Sequence, residues 1–190
     1  SFDRICRNGL NVAQCRGGAA GRALSWIYAR LMLILLTANP GWAADIELSS
    51  ANDSSQVDLG PHLWMWEDEN ANASFEDVKQ FTRQWERLNA PSVNLGFVKS
   101  AYWFHVSIAS HRDQPRALLL EQHYPLMDSV QVHWRCTSGA SRDYNAGDML
   151  PWRQRPKANH EFLFPLEMAA SDQCDLWVRA KNTEAMELPL

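Results

Sequence analysis

The sequence predicts a mainly β protein, built as an antiparallel sandwich with one helix covering part of it. Several short stretches alternate apolar and polar residues with a period of two, which is the pattern of half-buried strands. Turn-forming residues separate these stretches, for example at Ser138-Gly139 and Asn145–Asp148. One further stretch repeats its apolar residues at helical spacing. Short strands that recur with turn signals between them favour an antiparallel sandwich.

The helix is predicted to begin after Ser74 and to end before Pro91. Ser74 can cap the first turn, and Asp77, three residues later, resembles the acidic partner of a capping box. Proline then stops the helix. The apolar residues at helical spacing are Val78, Phe81, Trp85 and Leu88. This apolar face needs a partner, so we expect the helix to cover one side of the sandwich.

Five strands are predicted after the helix. They span residues 102–108, 117–123, 129–136, 161–168 and 174–181. In the first of them Trp103 and His105 lie on the face opposite Phe104. Tryptophan occurs on both faces of these strands, so the sequence leaves open which face is buried. The same holds for Trp64 and Trp66, which either form an exposed platform or pack under the helix.

An N-terminal secretory signal peptide is predicted. Arg30 precedes the apolar run Leu31–Leu36, and Pro40 and several small residues follow it. A positive flank, a short apolar run, a helix breaker and small residues are the pattern of such signals. Cleavage is expected near Ala43 or Ala44, with an uncleaved anchor as the alternative.

The sign of the net charge changes between the predicted signal region and the rest of the chain. The presequence, residues 1–43, holds five Arg and one Asp, whereas the chain from Ala44 onward holds 13 basic and 21 acidic residues, a formal net charge of −8. An acidic domain is a poor match for nucleic acid, whose phosphates require a basic surface. We therefore predict no nucleic-acid partner. The exported chain is divided into a lead-in segment at 44–60 and the sandwich domain at 61–190.

Cysteine usage agrees with export. The chain after the presequence holds Cys136 and Cys174, each at a core-facing position at the end of a predicted strand. Such residues can approach closely enough for a disulfide, and a pair in an oxidising compartment typically forms one. Two buried free thiols are the alternative. No CxxC or HxxxH spacing occurs, so we predict no metal site and no cofactor.

A series of short motifs follows in order along the chain. Its members are Leu95–Phe97, Tyr102–Val106, Leu118–Glu121, Pro125–Val130, Gly147–Asp148 with Leu150–Pro151, Phe162–Leu166 and Leu176–Ala180. The succession covers roughly Leu63 to Leu190. It resembles the second type of extracellular sensor domain in bacterial receptors that have seven transmembrane helices and diverse intracellular signalling modules.

The resemblance implies a jelly-roll-like β-sandwich similar to carbohydrate-binding modules. It places the domain in the periplasm, ahead of a seven-helix membrane domain of the same receptor and a cytoplasmic output, often a diguanylate cyclase or a histidine kinase. The chain stops near the expected end of the sensor domain, so we interpret it as part of a truncated receptor. One position departs from the family: it typically has Arg two residues after the Trp of the first strong strand, where this chain has His105.

A ligand-binding site is predicted on the strand faces. Sugar recognition needs flat apolar rings that stack on the pyranose and polar side chains that bind its hydroxyls. The candidates are Trp103, His105, Glu121 and Arg179. They would converge on one concave sheet if their strands are neighbours, and the expected ligand is a small molecule, with carbohydrate the favoured class. The alternative places Trp103 in the core or under the helix and makes Arg179 a solvated or ion-paired residue.

The leading hypothesis is therefore a periplasmic ligand-sensing domain without catalytic residues. A free-standing secreted carbohydrate-binding module is the alternative. A glycoside hydrolase built on carboxylates such as Glu121, Asp128 and Asp148 is a third interpretation. No GxSxG or HExxH motif supports an enzyme.

Overall fold

The computed structural model describes residues 44–49, 56–80 and 84–189, and this part of the chain is mainly antiparallel β-structure. The predicted presequence and Phe81 lie outside the described residues. The strands are β1 (Ile46–Leu48), β2 (Trp64–Asp68), β3 (Glu86–Arg87), β4 (Ser92–Phe97), β5 (Ala101–Ser110), β6 (Arg116–Gln122), β7 (Ser129–Cys136), β8 (Ser141–Ala146), β9 (Phe162–Met168), β10 (Gln173–Lys181) and β11 (Ala185–Pro189). The short helix α1 spans Phe75–Val78. In this part of the chain no helix has the length and apolar character needed to cross a membrane.

The largest sheet holds seven of the described strands. Six follow the order β3-β2-β5-β10-β7-β8, each antiparallel to its neighbour, and β1 pairs in parallel with β5. The central pair, β5 and β10, runs from Ala101 opposite Lys181 to Ala109 opposite Gln173. These two strands therefore form the axis on which the other elements are placed.

Two smaller sheets form the second layer. They are the antiparallel pairs β6–β9 and β4–β11. Apolar side chains from all three sheets meet in one core, to which β5 contributes Phe104 and Val106, β9 contributes Phe164 and β11 contributes Met186. The predicted antiparallel sandwich is thus confirmed. Trp134 links the layers with a polar contact, because its Nε1 donates to the Glu167 carbonyl at 2.9 Å.

The structure decides which strand face is buried against the core. Even-numbered residues of β5 face it, so Trp103 and His105 lie on the opposite, outer face of the main sheet. The outer face is also closed to solvent, since Trp103 has no exposed surface and Trp177 retains only 4%. Both faces of the central strands are therefore buried from solvent.

The predicted helix is much shorter than its apolar pattern suggested. Its start is confirmed, because Asp77 Oδ2 accepts from the Ser74 backbone N–H at 2.8 Å as in a capping box. The helix ends at Val78, and the strand β3 begins at Glu86, within the range predicted as helical. The reason is tertiary: β3 pairs with β2, which supplies backbone hydrogen bonds that a longer helix would have to give up.

The predicted disulfide is confirmed. Cys136 and Cys174 are directly opposite each other in the β7–β10 ladder, with their sulfur atoms 2.01 Å apart. Asp172 holds the adjoining turn by accepting hydrogen bonds from Thr137 Oγ1 at 2.6 Å and Ser138 N at 3.0 Å. Burial alone would raise the Asp172 pKa, but hydrogen bonds from Ser138 and Thr137 outweigh it and hold the pKa below its ordinary value. The last residue of β7 is therefore joined covalently to β10, and hydrogen bonds to Asp172 hold the turn that follows β7.

Reduction of the disulfide should lower the free energy of unfolding by about 3–4 kcal/mol, because the bond closes a loop over 38 residues and restricts the unfolded chain. Urea denaturation of the oxidised and reduced protein measures the difference. Intact mass of the exported protein, from which residues 1–43 with Cys6 and Cys15 have been removed, should show the loss of two hydrogens without reductant and no thiol that alkylates. Two thiols that alkylate readily in the unreduced, exported protein would contradict this prediction.

Candidate ligand-binding face and cavity

Three of the four predicted site residues lie together on the outer face. Strand register places Trp103 directly opposite Arg179, and His105 directly opposite Trp177. On the next strand, His133 lies opposite Trp177. Because side chains two residues apart share a face, these residues form one continuous patch across β5, β10 and β7.

Glu121 does not belong to this patch, and the predicted convergence of four residues is corrected here. Its strand, β6, pairs with β9 in the second layer and not with β5 or β10. The sequence pattern identifies a strand but carries no information about its neighbours. Glu121 instead lines a cavity, described below.

The outer face is covered by three apolar side chains, Phe75, Val78 and Trp85, which we call the cover. Together with Trp66 they pack on Trp103 and Trp177 in a second apolar cluster, separate from the core. The Trp85 ring lies 5.7 Å from the Trp177 ring in an edge-to-face arrangement. Such aromatic pairs add to the stabilisation from burial alone. A ligand can reach the Trp103 ring only if the cover moves.

His133 is held between rings and charges. The Phe75 ring stacks on its imidazole at 4.2 Å, with 11° between the planes. Its Nδ1 lies 2.6 Å from Asp143 Oδ1, and Arg135 also binds that carboxylate, at 2.8 and 3.1 Å. Burial lowers the pKa of His133, although the hydrogen bond to Asp143 opposes the shift. His133 is therefore kept neutral beneath Phe75.

For the Asp143 pKa, hydrogen bonds together have a larger effect than burial, whereas burial has the larger effect for His133. Burial alone would raise its pKa, but the hydrogen bonds from His133 and Arg135 outweigh burial and lower the pKa. The neighbouring His105 Nε2 makes a similar contact, 3.0 Å from Asp175 Oδ1, and its ring lies 4.1 Å from the Trp177 ring. Two histidine–aspartate pairs thus border the aromatic patch.

Arg179 fastens the loop that leads into the cover. Its Nη2 donates to the Ala71 carbonyl at 2.9 Å, and its guanidinium lies 6.0 Å from the Trp103 ring centre. Burial lowers the Arg179 pKa, with Asp68 opposing the shift. Asp68 also accepts from the Ala73 N–H at 2.9 Å, so both ends of this short loop are fixed.

Some polar atoms under the cover have no hydrogen-bond partner. Among the described residues, these include Trp103 Nε1, His133 Nε2 and Arg179 Nε, all of them buried. Buried polar atoms are paired in the great majority of native structures. The patch therefore holds unused hydrogen-bonding capacity beside flat apolar rings.

A cavity of about 390 Å³ opens at a different place, between β1 of the main sheet and β6 of the second layer. Its walls are mostly aliphatic, and its polar lining includes Arg116, Glu121 and His123. The volume lies within the range of ~300–1,000 Å³ that is common for small-molecule sites. The aliphatic lining is Ile46, Leu48, Val57, Leu59, Ile108, Ala117, Leu118, Leu119, Leu120, Leu166 and Leu176.

No functional role for His133 or Phe75 is predicted from the sequence. His133 has the same parity as Gln131 and Arg135 in β7, so the alternation places it on the face opposite Val132 and Trp134. Its position beside Trp177 follows from the β7–β10 register, and its contact with Phe75 follows from the path of the chain after β2. Neither relation leaves a signal in a local pattern.

The lowered His133 pKa gives a prediction for pH dependence. The unfolded imidazole protonates near its ordinary pKa of ~6.5, whereas the folded one resists protonation. The unfolded state then binds the extra proton, so the free energy of unfolding should fall as the pH falls below about 6.5. Urea midpoints between about pH 7.5 and pH 5.5 test this.

The His133→Gln variant should lose less stability over the same interval. His111→Gln, which changes a largely exposed histidine, should behave as the wild type. An equal pH dependence in His133→Gln and the wild type would refute the role given to His133.

Comparison with known proteins adds the family. No curated protein matches this chain. A sequence model of the family described as 7TMR-DISM extracellular 2 matches residues 60–190, which include the outer face, the disulfide and all the described strands except β1. That family is an extracellular sensor domain of receptors with seven transmembrane helices, and it is non-catalytic. The chain belongs to the 7TMR-DISM extracellular 2 family.

Proposed function

We propose that this chain is the periplasmic, ligand-sensing domain of a transmembrane receptor and that its ligand is a carbohydrate. The observation that carries the receptor assignment is the family match over residues 60–190. In this proposal residues 1–43 are a presequence removed on export, residues 44–60 lead into the fold, and residues 61–190 form the sensor. A seven-helix membrane domain of the same receptor follows in the full-length protein.

The chemistry of the outer face supports a carbohydrate ligand. Trp103 and Trp177 offer flat rings for the C–H faces of a pyranose. The unpartnered Trp103 Nε1, His133 Nε2 and Arg179 Nε offer two donors and one acceptor to hydroxyl groups. The cover packs on the patch through apolar groups and leaves these polar atoms unpaired. The hydroxyl groups of a sugar would pair with them.

The mechanism is competition between the ligand and the cover. Without ligand, Phe75 and Trp85 pack on the patch. A bound sugar takes their place, and the loop held by Arg179 moves with them. A ligand that binds the uncovered state better shifts the population toward it, and the receptor reads that change.

The cavity favours a second candidate ligand class. Its aliphatic walls suit a small molecule with an apolar body, and Glu121 and His123 can bind a polar group at its edge. The hydrolase interpretation has less support, since Asp128 is engaged with the backbone and accepts from the Thr183 N–H at 2.7 Å.

A glycan array followed by calorimetry with the best-binding glycan tests the carbohydrate proposal. Trp85→Ala should raise the affinity, because the ligand no longer has to displace that indole. Arg179→Ala should lower the affinity about tenfold, because loss of a charged hydrogen-bond donor to the ligand outweighs release of the loop that Arg179 holds at the Ala71 carbonyl. Trp152→Ala removes a half-exposed tryptophan outside the patch, and its affinity for the glycan should equal that of the wild type.

The outcomes separate the two sites. Absence of glycan binding in both the wild type and Trp85→Ala would refute the carbohydrate proposal. If Arg179→Ala binds the glycan as well as the wild type does and Glu121→Gln does not bind it, the binding site is the cavity and not the outer face. Trp103→Ala is not a useful probe, because removing a fully buried tryptophan costs about 3–5 kcal/mol of stability by itself.

Export is tested by sequencing the N-terminus of protein recovered from the periplasm. It should begin at Ala44 or Asp45. The contacts of Asp45 support this position, because Asp45 accepts hydrogen bonds from Ser107 N at 3.1 Å and Arg87 Nη1 at 2.8 Å and so belongs to the folded domain. A charge in the apolar run, as in Leu33→Arg, should block export. Recovered protein that still contains Leu31–Leu36 would refute cleavage.

A further inference from the structure

Three side chains of metal-binding type meet at one end of the β6–β9 pair. Glu121 lies near the end of β6, His123 follows that strand, and Glu161 immediately precedes β9. The ladder pairs Gln122 with Phe162. Continuation of the same register brings His123 and Glu161 together, while Glu121 and His123, two residues apart, share one side of the strand.

The donor atoms are close enough to share one ion. One donor from each side chain lies within 4.8 Å of the other two. His123 Nδ1 is 3.1 Å from Glu161 Oε1, and His123 Nε2 is 3.9 Å from Glu121 Oε2. Ligands at ~2.0–2.2 Å from a tetrahedral zinc ion are separated by about 3.4 Å. The three donor atoms therefore lie near the spacing that a shared ion requires, and small side-chain rotations would bring them to it.

The donor set selects the class of ion. Two carboxylates and one imidazole are a mixed oxygen and nitrogen set, which suits zinc and similar transition metals, whereas calcium and magnesium prefer oxygen alone. The three side chains are each between 37% and 40% exposed, so water can complete the coordination. Glu121 and Glu161 bring two carboxylates to one small cluster, and a shared cation would offset the repulsion between like charges.

The backbone between the ligands is rigid. Gln122 is fully buried, and with its side-chain amide turned so that N and O face matching partners it donates to the Tyr124 carbonyl at 2.9 Å and accepts from the Tyr124 N–H at 3.1 Å. This double hydrogen bond fixes the segment that carries Glu121 and His123. Both of these residues also line the cavity, which places the cluster at a surface that a ligand can approach. A backbone that is positioned before the ion arrives leaves only the side chains to be ordered on binding.

We propose that Glu121, His123 and Glu161 bind a divalent transition-metal ion of the zinc class, with water as the remaining ligand. No metal site is predicted from the sequence, because the chain has no local spacing typical of one. The third ligand comes from a neighbouring strand, and only the β6–β9 register brings it to the other two. The proposal does not depend on the carbohydrate proposal, which concerns the opposite layer.

Calorimetric titration of zinc chloride into the purified, chelator-treated protein tests the site, with calcium chloride titrated in parallel. One zinc ion per chain should bind, and calcium much more weakly. His123→Asn and Glu161→Gln should each weaken zinc binding at least about tenfold. His111→Asn is the matched control, because His111 contacts one carboxylate, that of Glu47, at 3.8 Å. The zinc affinity of this variant should equal that of the wild type. Acidification should weaken binding, since the imidazole must be unprotonated to bind a metal.

X-ray absorption at the zinc edge should show one imidazole nitrogen with oxygen neighbours and no sulfur. Near-UV circular dichroism checks that each variant is folded, and Glu121→Gln replaces any variant that is not. The proposal is overturned if the wild type binds no zinc, prefers calcium, shows sulfur ligands, or loses affinity equally in His111→Asn. No glycan is present in these experiments, so their outcome is independent of the glycan array.

Discussion

The burial of both faces of the central strands β5 and β10 is the constraint on which the rest of the structure depends. The inner face presents Phe104 and Val106, and the outer face presents Trp103 and Trp177. Removing one such indole from water contributes roughly 4–6 kcal/mol by area. The sheet therefore needs a layer on each side. The pairs β6–β9 and β4–β11 supply one, and the cover supplies the other.

The two layers differ in how firmly they are held. The inner core joins three sheets, and the disulfide fastens β7 to β10. The cover rests on ring contacts and on one loop bound by Arg179. Regions with fewer buried contacts open at lower free energy than the core. A signal that requires part of the domain to move without unfolding it would use the cover.

Polar groups on the outer face conflict with purely structural burial. A neutral, buried histidine and unpaired polar atoms lie beneath apolar rings, where aliphatic residues would be more stable. Natural proteins are locally consistent in most places, and departures are expected at functional positions. The β6–β9 end shows a related conflict, because two carboxylates share one imidazole there. These conflicts mark the two places where binding is proposed.

The sequence by itself determined the strands β5, β6, β7, β9 and β10, the start of the helix, the disulfide and the family. Each of these is expressed in local periodicity, a cap, core-facing parity or ordered motifs. It also grouped Trp103, His105 and Arg179 correctly by parity. Only the tertiary structure decided that α1 ends at Val78, that Trp103 is covered, and that Glu121 lies in the other layer beside Glu161. Those outcomes depend on which strands become neighbours. Pairing joins residues far apart in the chain, and alternation with a period of two is the same whichever neighbour a strand acquires.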